Sequence, residues 1–555
     1  MTPAAILGVL LACGLVHGFD IREERVVFPV PGAAVSAEGE AIEPLEGFVA
    51  FDAENELGDK PRPTILIIPD ADGLTDFEEN RARMLAMLPE GWLAFVAPMY
   101  NASAVADIDR PQRRDVMATV FADKEGLISR ISAAVSFLET VPTADTSKIV
   151  ATGYCFGGSI VADLARANVS LAGVVSYHGG LSRILEREQQ PTDFGDTRVL
   201  MLNGADDPLI PRGDVEEWIG IMQEGQADFE FTDFSDTLHS FTRPDAQGDR
   251  SRYDLYADQR SWLATHHFLN LVFGFSTPWS LPESPATLVK EDVSFMDGDE
   301  ELTGYIVYDS AKVKDKAPVV IVTQDWDGVN DFERMRADAT ASLDQGYLVF
   351  ASSVYPVGSV YETIEQRIAL IGGFFGDLDN IRSRMTAIVE YIKEHELADP
   401  TNIIATGYCF GGSSVLELAR AGVEGVKGVV SFHGGLDSLA NTNVTSDFGD
   451  TKVLILTGND DDGISRSAVE TAIATMKADN ASYEVTSYGN TVHSFTEPTA
   501  DSSNSRYSPY ADQRSWESMV DFFESTFGLA ESPLPSVGKV GGNGGRRRRT
   551  LRAAE

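Results

Sequence analysis

The sequence predicts an α/β protein of two tandem domains, each an open, mostly parallel sheet with helices on both faces. Two observations carry that prediction. First, landmarks recur at an almost fixed offset: Cys155 and Cys409, His239 and His493, and Arg260 and Arg514 are each 254 residues apart, and Gly73 and Gly328 are 255 apart. A repeat of that length is a duplicated domain rather than a solenoid unit. Second, short unbroken Val/Ile/Leu runs alternate with longer amphipathic stretches in both copies, the pattern of buried parallel strands joined by helical crossovers.

Taken in order, residues 1–18 read as a signal peptide, because Ala4–Val16 is apolar but too short to span a bilayer and Gly18 lies near a plausible cleavage point. The first domain is expected over residues 19–275, with strands at Thr64–Ile68, Ala94–Ala97, Ile149–Thr152, Gly173–Ser176 and Val199–Leu202. Phe77–Leu88 and Leu127–Leu138 have helical spacing and fit the crossovers. Residues 276–285, STPWSLPESP, read as a linker rich in Pro and Ser. The second domain is expected over residues 286–528, with strands at Val319–Val322, Leu348–Ala351, Ile403–Thr406, Gly428–Ser431 and Val453–Leu456. Residues 529–555 lack the composition of a core and read as a disordered tail with a basic run, Arg546–Arg549.

Composition narrows the function classes. With 555 residues, 43% apolar and 23% charged, the chain can bury two sizeable cores. A formal net charge of −41 argues against nucleic acid or an anionic membrane as partner. No other stretch is long and apolar enough to cross a bilayer, so a secreted or lumenal soluble protein is expected, glycosylated if its host uses the sequons at Asn101, Asn168, Asn443 and Asn480. Of three cysteines, Cys13 lies in the signal segment. Cys155 and Cys409 then remain, at equivalent places in separate domains where a bridge between them is implausible. Free thiols kept in an oxidising compartment point to reactivity.

Those cysteines sit in a repeated string, ATGYCFGGS, at Ala151–Ser159 and Ala405–Ser413. Each copy follows an apolar strand and opens a helix, so it resembles the nucleophile elbow of α/β-hydrolases with Cys155 and Cys409 at the apex. Downstream come VLMLNGADDPLIP and DTLHSFTRPD in the first copy, and VLILTGNDDDGIS and NTVHSFTEPT in the second. The chain order nucleophile, acid, histidine assigns Asp207 with His239, and Asp461 with His493. The aspartate would orient the imidazole, and the imidazole would keep the sulfur as the thiolate that attacks carbonyls. Asp206, Asp460 and Asp462 read as solvated loop residues, and His178 and His433 as structural. Asp297–Glu301 lacks the spacing of a calcium loop. With no zinc spacing, P-loop or dinucleotide fingerprint, no cofactor is expected.

The set G-Y-C-x-G-G, G-x-x-D and H-S-F, together with D-x-R-S-W (Asp258–Trp262, Asp512–Trp516) and the turns IIPDADGLTDF and VTQDWDGVNDF, resembles the dienelactone hydrolase family over nearly all of both copies. The resemblance implies two α/β-hydrolase domains, each attacking a small ester or lactone through a Cys-His-Asp triad and an acyl-enzyme. It implies oxyanion donors at the backbone N–H groups of Phe156 and Ala71, and of Phe410 and Trp326. It also places at Asp70 and Asp325 an acid that gates the thiol, though as an aspartate where better-known members have glutamate. Arginines that bind a substrate carboxylate correspond to Arg243 and, more loosely, to Arg113 and Arg367. The second copy has Glu497 where the first has Arg243, so its acyl substrate is expected to differ, or its activity to be lower. Two other readings stand beside the enzyme: an acidic scaffold that keeps the fold without turnover, and a pair in which only the first domain is active. Complete triads in both copies favour the enzyme. The natural substrate and oligomeric state are not specified.

Overall fold

Side chains that are apolar on both faces can be satisfied only in the middle of a covered sheet, and that is where the ten predicted runs lie. The computed structural model describes residues 19–30, 44–55, 57, 60–167, 169–185, 193–440, 446–529 and 533–535. The segments read as a signal peptide and as a basic run, and the sequons at Asn168 and Asn443, lie outside the described residues. Among the described residues two compact units form, the first holding those up to Phe229, Thr237–Ser276 and 533–535, the second Glu230–Asp236 and those from Thr277 to Leu529.

In the first unit the strand order is Ile21–Phe28, Leu45–Asp52, Leu93–Val96, Arg62–Ile68, Ala144–Tyr154, Gly173–Tyr177 and Arg198–Gly204. The first two pair antiparallel, Leu45–Asp52 is antiparallel to Leu93–Val96, and the other pairings are parallel. The second unit repeats the plan in the order Leu288–Asp297, Glu300–Asp309, Leu348–Ser352, Ala317–Thr323, Ala398–Tyr408, Val426–Phe432, Lys452–Gly458 and Ser482–Tyr488. Again the first two pairings are antiparallel and the rest parallel. The opening strands escape the apolar-run criterion because they are edge strands. Ile21–Phe28 reads IREERVVF and exposes most of its charged positions, the usual protection of an unpaired edge.

Helices cover the sheets through sequence-encoded starts. Thr75 caps Asp76–Ala86 and Asn330 caps Asp331–Ala341, each in a capping box closed by a glutamate, Glu78 or Glu333. The helices after the elbows, Phe156–Arg166 and Phe410–Arg420, are buried along their whole length, so only small and apolar residues fit their first turns. The Pro/Ser-rich junction is anchored rather than free: Trp279 donates from Nε1 to Asp512 at 2.7 Å and packs on the core of the second unit. Asp297 and Glu300 both pair with Arg384. Among the described residues, no group of three or more His, Cys, Asp or Glu side chains is arranged to hold a metal ion, and no helix is long and apolar enough to cross a membrane.

Candidate active site

Three loops at the carboxyl ends of parallel strands converge in each unit, where sheets of this type build their sites. Cys155 follows Ala144–Tyr154 at φ 52° and ψ −110°, and Cys409 follows Ala398–Tyr408 at φ 52° and ψ −114°. A side chain in that region costs on the order of 1–3 kcal/mol, which the surroundings must offset. They do so by close approach. A Cβ on Gly157 would lie 2.1 Å from the carbonyl oxygen of Ile68, and one on Gly153 would lie 2.2 Å from the Gly157 backbone. The glycines of the motif thus let the elbow press onto the neighbouring strand.

The cysteine, histidine and aspartate meet in both units. His239 Nε2 lies 3.1 Å from Cys155 Sγ, and Asp207 Oδ2 accepts from His239 Nδ1 at 2.6 Å. The second unit gives 3.2 Å for His493 and Cys409, and 2.7 Å for His493 and Asp461. The other oxygen of each aspartate accepts a backbone N–H, from Leu209 or Gly463, both at 2.8 Å, which fixes the carboxylate plane. Burial lowers the histidine pKa, but Cys155 and Asp207 outweigh it and push His239 up to about 10. Asp461 and Cys409 bring His493 to about 10 likewise. His239 is 7% exposed at its side chain and His493 26%, so the second site is the more open.

The residues expected to donate to an oxyanion lie next to the cysteine in sequence and on the loop after the strand Arg62–Ile68 or Ala317–Thr323. Phe156 and Phe410 open their helices, so their N–H groups have no intrahelical acceptor. The loops carrying Ala71 and Trp326 are held by tyrosines: Tyr100 donates to the Ala71 carbonyl at 3.0 Å and Tyr355 to the Trp326 carbonyl at 3.2 Å. Those rings also stack on Phe156 and Phe410, with centroids 5.8 and 5.7 Å apart. From below, Glu78 and Glu333 accept the backbone N–H of Asp70 and Asp325. Burial, then repulsion from Asp70, raises Glu78 to about 8, and burial raises Glu333 to about 7.

Two further residues tie the loops together. His178 Nδ1 accepts the Cys155 N–H at 3.1 Å while its Nε2 donates to Thr242 Oγ1 at 2.9 Å, and His433 does the same with Cys409 (3.2 Å) and Thr496 (2.9 Å). One accepting and one donating nitrogen define a neutral ring. Burial, then the facing triad histidine, holds both rings well below the usual histidine range. Buried Arg81 bridges Asp258 of the D-x-R-S-W motif (2.6 Å) to the Thr242 carbonyl (2.7 Å), and so braces the loop that carries His239. Arg336 and Asp512 repeat this brace.

The mouths of the two sites differ. Arg243 pairs with Asp70, Asp72 and Asp245, and Arg113 with Asp72. Asp70 thus faces arginine. Burial raises its pKa against the lowering pull of Arg243. In the second unit Arg367 pairs with Asp327 at 3.1 Å, while Glu497 accepts from the Thr499 N–H and hydroxyl. Asp325 is pushed up to about 10 by burial, by its hydrogen bond with Asp327 and by the nearby Glu333 charge. A cavity of about 620 Å³ there is lined by Cys409, His493, Asp325 and Glu497. In the first unit a cavity of about 750 Å³ is lined by Arg243 and Phe77, but not by Cys155 or His239.

Comparison with known proteins agrees with this plan. The profile of the dienelactone hydrolase family matches residues 48–273 and again residues 302–527. The uncharacterized protein K02A2.1 of Caenorhabditis elegans is 32% identical over 157 residues, covering 27% of this chain and 98% of its own. A putative carboxymethylenebutenolidase of Escherichia coli K12 is 25% identical over 205 residues, covering 35% of this chain and 72% of its own. Among solved structures, the dienelactone hydrolase-like promiscuous phosphotriesterase P91 from metagenomic libraries is 27% identical, covers 43% of this chain and 99% of its own, and has a TM-score of 0.39. With both halves matched along most of their length, this chain belongs to the dienelactone hydrolase family and carries its domain twice.

Proposed function

We propose that each unit hydrolyses a small ester or lactone through its cysteine, histidine and aspartate. The observation that carries this reading is the hydrogen-bonded row Cys155–His239–Asp207, repeated in Cys409–His493–Asp461. The attacking form of the sulfur in this reading is the thiolate, paired with the protonated histidine beside it. The thiolate bonds to the carbonyl carbon, and the negative oxygen rests on the N–H groups of Phe156 and Ala71, or of Phe410 and Trp326. Such donors typically contribute roughly 3–4 kcal/mol to the barrier. As the C–O bond breaks, His239 or His493 passes its Nε2 proton to the leaving alkoxide. The same nitrogen then takes a proton from water, whose oxygen attacks the thioester, and the carboxylic acid and the thiolate separate. Relatives named as carboxymethylenebutenolidases support a lactone among the substrates. In the first unit a substrate carboxylate would reach Arg243 only by displacing one of its aspartate partners, Asp70, Asp72 or Asp245.

Replacing both Cys155 and Cys409 by Ala is expected to abolish turnover of a chromogenic acetyl ester while leaving the thermal midpoint nearly unchanged. Turnover that survives the double replacement would remove the mechanism. We also propose a secreted or lumenal destination from residues 1–18. N-terminal sequencing of the mature protein tests it: a start near Phe19 supports the proposal and a retained Met1 overturns it.

A further inference from the structure

The two sites share a pair of carboxylates, Asp70 and Asp72 or Asp325 and Asp327, but not the same counter-charge. In the first unit the Arg243 guanidinium binds Asp70, Asp72 and Asp245 and lies 5.2 Å over the Phe77 ring. The second unit keeps two of those three carboxylates and the ring, as Asp325, Asp327 and Phe332, has Thr499 in place of Asp245, and replaces the donor by Glu497. Phe332 retains a cation on it at 5.1 Å, from Arg336, as Phe77 retains Arg81 at 5.3 Å. What the second unit lacks is the cation from the histidine loop. In its place lies the cavity of about 620 Å³, lined by Asp325, Asp327, Phe332 and Glu497 and open to Cys409 and His493. Arg367 neutralises Asp327 at 3.1 Å and does not reach the other carboxylates.

We propose that the second unit selects esters bearing an ammonium or guanidinium group, and that this cation occupies the place the Arg243 guanidinium takes in the first unit. The inference rests on the proposed hydrolysis at Cys409 and names the class of substrate for that site. Glu497 supplies a charge-assisted hydrogen bond, Asp325 becomes a second acceptor when the arriving cation displaces its proton to solvent, and an aromatic face supplies cation–π attraction, all strengthened where water is partly excluded. A carboxylate substrate would meet Glu497 instead, and like charges in a shared site oppose each other. The exchange of one arginine for one glutamate therefore leaves open in the second site a cation's place that the first site fills with its own guanidinium.

The test uses the full chain with Cys155→Ala, so that only Cys409 reports, and three aryl esters of matched size that are neutral, carboxylated or trimethylammonium-bearing. The cationic ester should exceed the carboxylated one in kcat/KM by at least about tenfold, and the Cys409→Ala chain, whose remaining site fills that place with Arg243, should show no such preference. Adding Glu497→Gln to the Cys155→Ala chain should shrink that ratio, and Glu497→Arg should remove the preference. Phenyltrimethylammonium should also slow iodoacetamide labelling of Cys409 where benzoate does not, a readout that needs no turnover. Equal handling of both charged esters with the neutral ester turned over would overturn the charge preference and leave the hydrolase reading intact. Protection by the cation with no ester cleaved would support the cation site while removing hydrolysis at Cys409. Neither protection nor discrimination would overturn the proposal.

Discussion

Asp325 and Asp70 hold equivalent positions, yet only Asp70 has an arginine to pair with, and a measurable pH dependence follows. A buried carboxyl whose pKa stands at about 10 keeps a proton that the unfolded chain releases near pH 4. The folded state thus binds more protons than the unfolded one between those values, so this group's contribution falls as pH rises. Asp325→Asn should flatten the decline of the second unit's thermal midpoint between about pH 5 and about pH 9. An unchanged slope in calorimetry would mean that Asp325 is ionised in the folded protein. The triad residues were legible one by one, because nucleophile, acid and histidine come in a fixed chain order with glycines beside them. Tyr100 and Tyr355 were not, since a tyrosine that holds a loop by its hydroxyl leaves no local pattern. The repeat itself was the available signal, for both tyrosines recur at matched positions.

At the scale of elements, the elbow depends on contact between backbones. Gly157→Ala would bring a methyl group against the Ile68 carbonyl, and overpacking of this kind costs at least about 1–3 kcal/mol. Urea unfolding should register that loss together with inactivation at Cys155. Gly213, in helix Arg212–Glu224, has open space around its Cβ position, so Gly213→Ala should instead stabilise by about 0.4–1 kcal/mol. If both replacements behaved alike, close approach would not explain the motif glycines. Continuous apolar runs announced the central strands correctly. They failed for the edge strands, whose charge is their protection, and for the brace between Arg81 and Asp258, partners 177 residues apart that meet only through the fold. The Trp279 anchor was hidden for a similar reason: proline and serine around it mark a connection, and only packing reveals that the indole is held.

For the whole molecule, charge and duplication set the behaviour. A chain with net charge −41 repels itself when compact, and salt screens that repulsion within a Debye length of about 8 Å at physiological ionic strength. The thermal midpoint should therefore rise as sodium chloride increases from millimolar concentrations, and a midpoint insensitive to salt would show that local pairs already neutralise the surface. Iodoacetamide should place one alkyl group on each of Cys155 and Cys409, and each single Cys→Ala replacement should leave the other cysteine labelled, as intact-mass measurement would show. The elbow geometry repeats to within 4° in ψ and the histidine contact to within 0.1 Å, so any divergence between the halves lies at the pocket mouth. Because both cysteine–histidine–aspartate sites share one polypeptide, their copy numbers are locked at one to one in every cell that makes the protein. Synthesis and degradation cannot favour either centre, so evolution can rebalance them only by rewriting side chains such as Arg243 and Glu497.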